Sequence, residues 1–177
     1  MSPPERAFLA CLYVNRQGWH QVFSSFYPNG EHIVPDFRKI TDTFYVAPQI
    51  SVEDIASATN DGFSVLIMNR PDGETPDQPM LEDLVSSAET NGMSFFHIPI
   101  IAPPNLPEID ATLSAIQDND GKKVLAFCRS GTRSATLWAY AMARSKSMPI
   151  DEIISKARNA GYDLAPHAPR LEAVAAM

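Results

Sequence analysis

Short unbroken apolar runs alternate along this chain with longer stretches in which apolar residues recur every third or fourth place. The runs Thr43-Phe44-Tyr45-Val46, Phe63-Ser64-Val65-Leu66-Ile67-Met68, residues 94–100 and Lys123-Val124-Leu125-Ala126-Phe127 are short enough for strands buried on both faces. Between them the pattern predicts helices. Ser51 with an acid three residues on, at Asp54, marks one that runs to about Asn60 and stops at Asp61-Gly62. Others are predicted over about 80–90, 107–117, 136–143, 149–159 and 169–175, with Asn91-Gly92, Asp118-Asn119-Asp120-Gly121 and Gly161 as stops. This alternation predicts an α/β fold, a three-layer sandwich with a mainly parallel sheet flanked by helices. Such folds bind ligands at the carboxyl ends of the strands. The loops 69–79, 99–106 and 128–134 are therefore expected to meet there, bringing Arg70, Asp72 and Glu74 near Cys128.

Residues 1–35 carry less pattern and are taken as an N-terminal extension of unknown role, with the folded domain over 36–177. The apolar stretch 7–14 is too short to span a bilayer. Glu5 and Arg6 precede it and no small-x-small site follows, so a signal peptide is not expected. The aromatic-rich stretch 18–27 reads as a strand or a packing arm.

Composition narrows the picture modestly. The 177 residues are 45% hydrophobic and 20% charged, ordinary for a globular protein, with a net charge of −7. That balance argues against a general nucleic-acid or membrane-surface binder while allowing a local basic pocket. Cys11 and Cys128 lie far apart without CxxC spacing, so neither a disulfide framework nor a zinc site is expected. A reducing, cytoplasmic setting and no metal or cofactor are the matching expectations.

The chemistry concentrates in Cys128-Arg129-Ser130-Gly131-Thr132-Arg133-Ser134, between the last strand and a helical pattern. Small residues such as Ser130 and Gly131 let successive backbone N–H groups turn inward as an anion-binding nest. The following helix points its positive end at the same spot. Arg129 and Arg133 add guanidinium groups able to hold an oxyanion with two parallel hydrogen bonds. The expectation is a thiolate nucleophile facing a bound oxyanion. The plainer alternative is a buried cysteine followed by a polar turn. Trp138 and Tyr140 on the helix read as packing, and His97 as a hydrogen-bonded core residue.

These residues resemble a known family. Asp36-Phe37-Arg38-Lys39-Ile40, Ala47-Pro48-Gln49-Ile50-Ser51, Asn69-Arg70-Pro71-Asp72-Gly73-Glu74, Phe96-His97-Ile98-Pro99 and the Cys128 loop match, in order, the beta-lactamase-hydrolase-like, phosphatase-like proteins of bacteria. Those are a branch of the tyrosine and dual-specificity phosphatase superfamily. The resemblance implies a dual-specificity-phosphatase-like fold and hydrolysis of a phosphoester through a cysteinyl-phosphate on Cys128. It further implies that Arg133 and the loop N–H groups of this P-loop, 129–132, hold the oxyanion, and that Ser134 hydrogen-bonds the thiolate. The substrate would be a phosphorylated small molecule or protein.

Two departures stand out. The superfamily places five residues between the cysteine and the binding arginine, whereas here four precede Arg133 and Ser134 takes the next place. The shorter spacing also resembles the active loop of rhodanese sulfurtransferases, whose cysteine carries a persulfide received from a sulfur donor. The family's general acid usually follows the His97-Ile98-Pro99 segment, but Ile100-Ile101-Ala102-Pro103-Pro104-Asn105 holds no acid. Asp72 is the candidate in its stead, with Glu74 second, although Pro-Asp-Gly is equally a ready β-turn. Arg70 is the candidate substrate-side cation or partner of Asp72. Three readings follow: a phosphatase-like hydrolase, a sulfurtransferase on a similar scaffold, or an anion-binding module without turnover. The helical period after Pro149 favours the first, since a rhodanese would place a strand within 146–165.

Overall fold

The computed structural model describes residues 35–177 except residue 102, together with two short strands before them. The chain divides into units 1–34 and 35–177. In the first, β1 (Tyr13–Asn15) and β2 (Gly18–His20) pair antiparallel, Tyr13 opposite His20. The other expectations for 1–34 lie outside the described residues.

The second unit holds a five-stranded sheet in the order β3 (Arg38–Lys39), β4 (Phe44–Ala47), β7 (Lys123–Phe127), β5 (Phe63–Met68), β6 (Ser94–His97). All neighbours are parallel except β3, which runs antiparallel to β4. The sheet is thus mainly parallel, as its continuous apolar strands imply. The two-residue β3 has too little pattern to announce itself in the sequence.

Side chains along each inner strand alternate between two cores. On one face Phe44, Val46, Val65, Ile67, Val124 and Ala126 pack with the buried residues of α3 (Leu106–Gln117), α4 (Thr132–Ser145), α5 (Ile150–Asn159) and α6 (Ala168–Ala175). On the other Ala47, Leu66, Met68, Leu125 and Phe127 pack with α1 (Val52–Asn60) and α2 (Leu81–Thr90). Period-two alternation in fully buried strands requires an apolar residue at every position. The helix α4 is itself buried along 134–143, with Trp138 stacked at a tilt on Phe44. Tyr140 is buried too and shares a hydrogen bond with His167 Nδ1 at 3.1 Å.

Local signals set the boundaries. Ser51 Oγ accepts from the N–H of Asp54 while the Asp54 carboxylate accepts from the N–H of Ser51, a reciprocal cap that starts α1. Asn105 and Glu108 repeat the device at α3, one residue ahead of the expected start. The strand expected over 94–100 ends at His97, a correction with a clear cause. Pro99 offers no N–H, so only Ile98 and Ile100 bond across, to the carbonyls of Met68 and Asn69. Segment 146–165 holds α5 and no strand. No helix of the described residues is long and apolar enough to cross a membrane.

Candidate active site

The central strand β7 delivers Cys128 to the carboxyl edge of the sheet. Its N–H donates to the Ala47 carbonyl, and the N–H of Gln49 donates to the Arg129 carbonyl, each at 3.4 Å. The Cys128 loop therefore continues the pairing of β7 with β4 beyond the strand. Gly131 then turns at φ +86° and caps α4. A side chain is strained at such a φ. Here a Cβ would also lie 2.0 Å from the Tyr162 hydroxyl. This turn aims the Gly131 N–H at Cys128 Sγ, 3.2 Å away. Cys128 is buried at the end of its strand. Among the described residues, the N–H groups of Ser130, Thr132, Arg133 and Ser134 find no protein acceptor. They form the open, positive end of α4.

Arg133 leaves the first turn of α4 toward the neighbouring loops. Its Nη1 donates to Glu74 Oε1 at 2.8 Å and to the Ile100 carbonyl at 3.0 Å, and its Nη2 donates to Glu74 Oε2 at 2.9 Å. A guanidinium has five N–H donors. The two left over, Nε–H and one Nη2–H, lie along one edge, which is the bidentate arrangement an oxyanion fits. The bond to Glu74 is the main reason that the Arg133 guanidinium holds its proton more tightly than usual, with the nearby Cys128 sulfur adding to it. Glu74 responds in the opposite sense. The Arg133 hydrogen bond, with Arg70 assisting, outweighs burial and brings its carboxyl down to about 2.

Arg70 occupies a different place from the one expected of a substrate-side cation. It is 4% exposed. Its Nε donates to Glu74 at 2.7 Å, its Nη1 to Gln49 Oε1 at 2.8 Å and its Nη2 to Thr75 Oγ1 at 2.7 Å. Its carbonyl meets His97 Nε2 at 3.1 Å. Arg70 thus ties the loops after β4 and β5 to the end of β6 and presents Glu74 to Arg133. His97 is a hydrogen-bonded, half-buried residue, as its apolar strand suggests. Gln49 escaped attention as a functional residue because a lone Gln in a loop carries no chemical signature.

Asp72 stands exposed in the turn that Gly73 completes at φ +64°. It makes no hydrogen bond or ion pair among the described residues, with Arg70 or with any other. Glu74, the second candidate acid, is committed to two guanidinium groups and remains ionised. Ser134 also departs from expectation. Its Oγ is buried without a partner and makes no bond to Cys128 Sγ. The hydrogen bond expected from Ser134 comes instead from the Gly131 N–H. Arg129, Ser130 and Thr132 are exposed on the rim, where Ser130 Oγ donates to Thr132 Oγ1 at 3.2 Å. Among the described residues no three His, Cys, Asp or Glu side chains gather to hold a metal ion.

Comparison with known proteins places this geometry in context. Residues 36–145 match the family described as Beta-lactamase hydrolase-like protein, phosphatase-like domain. A curated Beta-lactamase hydrolase-like protein of Agrobacterium fabrum is 31% identical over 128 residues, 71% of this chain. That match spans only 29% of the relative's own length. A crystal structure of a candidate phosphatase from Neisseria meningitidis superposes with a TM-score of 0.67 at 31% identity, covering 78% of this chain and 98% of that one. Kinase associated phosphatase shares the fold, with a TM-score of 0.64 at 14% identity over 82% of this chain and 97% of its own.

Proposed function

Because the chain belongs to the beta-lactamase hydrolase-like, phosphatase-like domain family, we propose that it hydrolyses phosphate monoesters through a phosphocysteine on Cys128. The observation that carries this reading is the pair of unused donors on Arg133. Glu74 and Ile100 occupy the other three and hold the guanidinium with its free edge available to an oxyanion. The unpartnered N–H groups of Ser130, Thr132, Arg133 and Ser134 supply further donors to the same anion.

In the first step Cys128 Sγ attacks phosphorus, an S–P bond forms, and the P–O bond to the alcohol breaks. Charge spreads over three phosphoryl oxygens, and preorganised donors stabilise it most where it develops. In the second step water attacks phosphorus, the S–P bond breaks, and inorganic phosphate leaves with the sulfur regenerated. The Gly131 N–H, at 3.2 Å from Sγ, stabilises the anionic sulfur at both ends of the cycle. Arg70 and Glu74 act through Arg133 rather than on substrate.

The departing oxygen has no dedicated proton donor among these contacts. Glu74 is ionised, the loop after β6 offers no acid, and Asp72 and Asp77 are the carboxyls of the loop after β5 that form no ion pair. The reading therefore favours esters whose alcohol leaves readily as an anion, since leaving-group protonation is typically worth about 10²–10⁴-fold. Aryl phosphates should turn over well and alkyl phosphates poorly. Asp72→Asn tests the Asp72 carboxyl as that donor. A fall confined to alkyl phosphates assigns the proton to Asp72, and rates unchanged from the wild type on both ester types remove it from the mechanism.

A further inference from the structure

Tyr162 is absent from the chemistry above, yet its ring end lies against the backbone of the Cys128 loop. A Cβ on Gly131 would fall 2.0 Å from its hydroxyl and 2.8 Å from the ring carbon bearing it. The ring is 5% exposed. Its approach is fixed from both sides. Behind it, α5 closes with the Gly161 N–H on the Arg158 carbonyl at 2.9 Å and the Tyr162 N–H on the Ala157 carbonyl at 2.9 Å. That is the paired 5→2 and 6→1 helix ending. It turns the chain so that the residue after Gly161 points back into the fold. Outside it, the Arg38 guanidinium stacks on the ring at 5.4 Å, itself held by Asp36 at 2.8 and 2.6 Å.

We propose that Tyr162 is a positioning residue for Cys128: its ring, braced by Arg38, holds Gly131 in the left-handed turn that directs the Gly131 N–H to the sulfur. The inference rests on the proposed role of Cys128 as nucleophile. Packing carries it rather than a hydrogen bond, since the hydroxyl's bond to the Ser130 carbonyl is long at 3.5 Å, and without the hydroxyl the ring carbon still lies 2.8 Å from where a Gly131 Cβ would stand. Without the ring, the loop has space to relax and the sulfur loses its backbone donor. That loss takes away a donor that stabilises the anionic sulfur and leaves the thiol itself in place.

The test is the rate at which iodoacetamide alkylates Cys128, with the Cys128→Ser protein run alongside to subtract Cys11. Tyr162→Phe keeps the ring and should match the wild type within about twofold, while Tyr162→Leu should react about tenfold more slowly near pH 7. An unchanged rate near pH 7 in Tyr162→Leu overturns the proposal. A loss in Tyr162→Phe as large as in Tyr162→Leu overturns the ring contact as its cause. If Tyr162→Leu does not fold, Arg38→Met decides, because Arg38 is partly exposed and the exchange removes only its stack on the ring and its exposed ion pair with Asp36. About a threefold loss near pH 7 supports the brace, and an unchanged rate overturns it. Alkylation needs no turnover, so a wild type that alkylates as described but releases no phosphate fails the hydrolase reading and leaves the positioning of Cys128 standing.

Discussion

Glu74 gives two hydrogen bonds' worth of acceptor to Arg133 and one to Arg70, so the behaviour of this single carboxylate is the most informative at the residue scale. Glu74→Gln should lower kcat for an aryl phosphate by about 10–100-fold, the scale on which an outer partner acts on an active group. KM should rise as well, because the same guanidinium holds the ground-state anion. The pH dependence has a definite sign. The folded carboxyl sits at about 2, below its ordinary 4.5. Its stabilising contribution is therefore complete above the ordinary value and is lost as pH falls from 4.5 toward 2. Urea midpoints of wild type and Glu74→Gln should differ by a constant amount near neutrality and converge across that window. A gap that stays open at the acid end contradicts the pairing. Ser134→Ala removes a buried hydroxyl without a partner. It should leave stability unchanged or slightly raised and kcat within about threefold, checked by thermal melting and steady-state rates.

At the scale of elements, the Gly131 turn into α4 is where sequence, fold and chemistry meet. Gly131→Ala should cost about 2–4 kcal/mol, combining a strained positive φ with a Cβ placed against Tyr162 and Val46, and should abolish turnover. Asn105→Ala, which uncaps α3 away from the sulfur, should cost about 1 kcal/mol with turnover nearly intact. The contrast separates a helix start that serves the site from one that serves only the fold. Most elements were legible because their signals are local: Ser51 with Asp54 at α1, Gly161 after α5, and the apolar strands β5 and β7. The failures have the opposite character. The two-residue β3 exists only through its pairing with β4, and β6 ends where Pro99 interrupts a ladder that its apolar run would otherwise continue.

Across the whole molecule, the convergence of the loops after β5, β6 and β7 on one edge was legible from the alternation of strands and helices. The Cys128 loop announced itself by residue type. The partners of each side chain were not legible. Arg70 is a cation in a loop by sequence, and only the packing of Gln49, Thr75 and Glu74 around it makes it a buried tie rather than a ligand for substrate. Ser134 and Gly131 exchange expected roles for a similar reason, since a hydrogen bond to sulfur depends on a backbone turn that residue type alone does not specify. The loop is one residue shorter than the superfamily's, and that spacing left sulfur transfer open. The helical 146–165 segment and the match over 36–145 favour the phosphatase-like reading.

Paired turnover assays on wild type and Cys128→Ser test that central claim most directly. One follows phenolate release from an aryl phosphate, and the other follows thiocyanate formation from thiosulfate and cyanide. The account predicts phosphate-ester turnover that disappears in Cys128→Ser and no Cys128-dependent thiocyanate. Thiocyanate that depends on Cys128, without phosphate release, would contradict it and assign the short loop to sulfur.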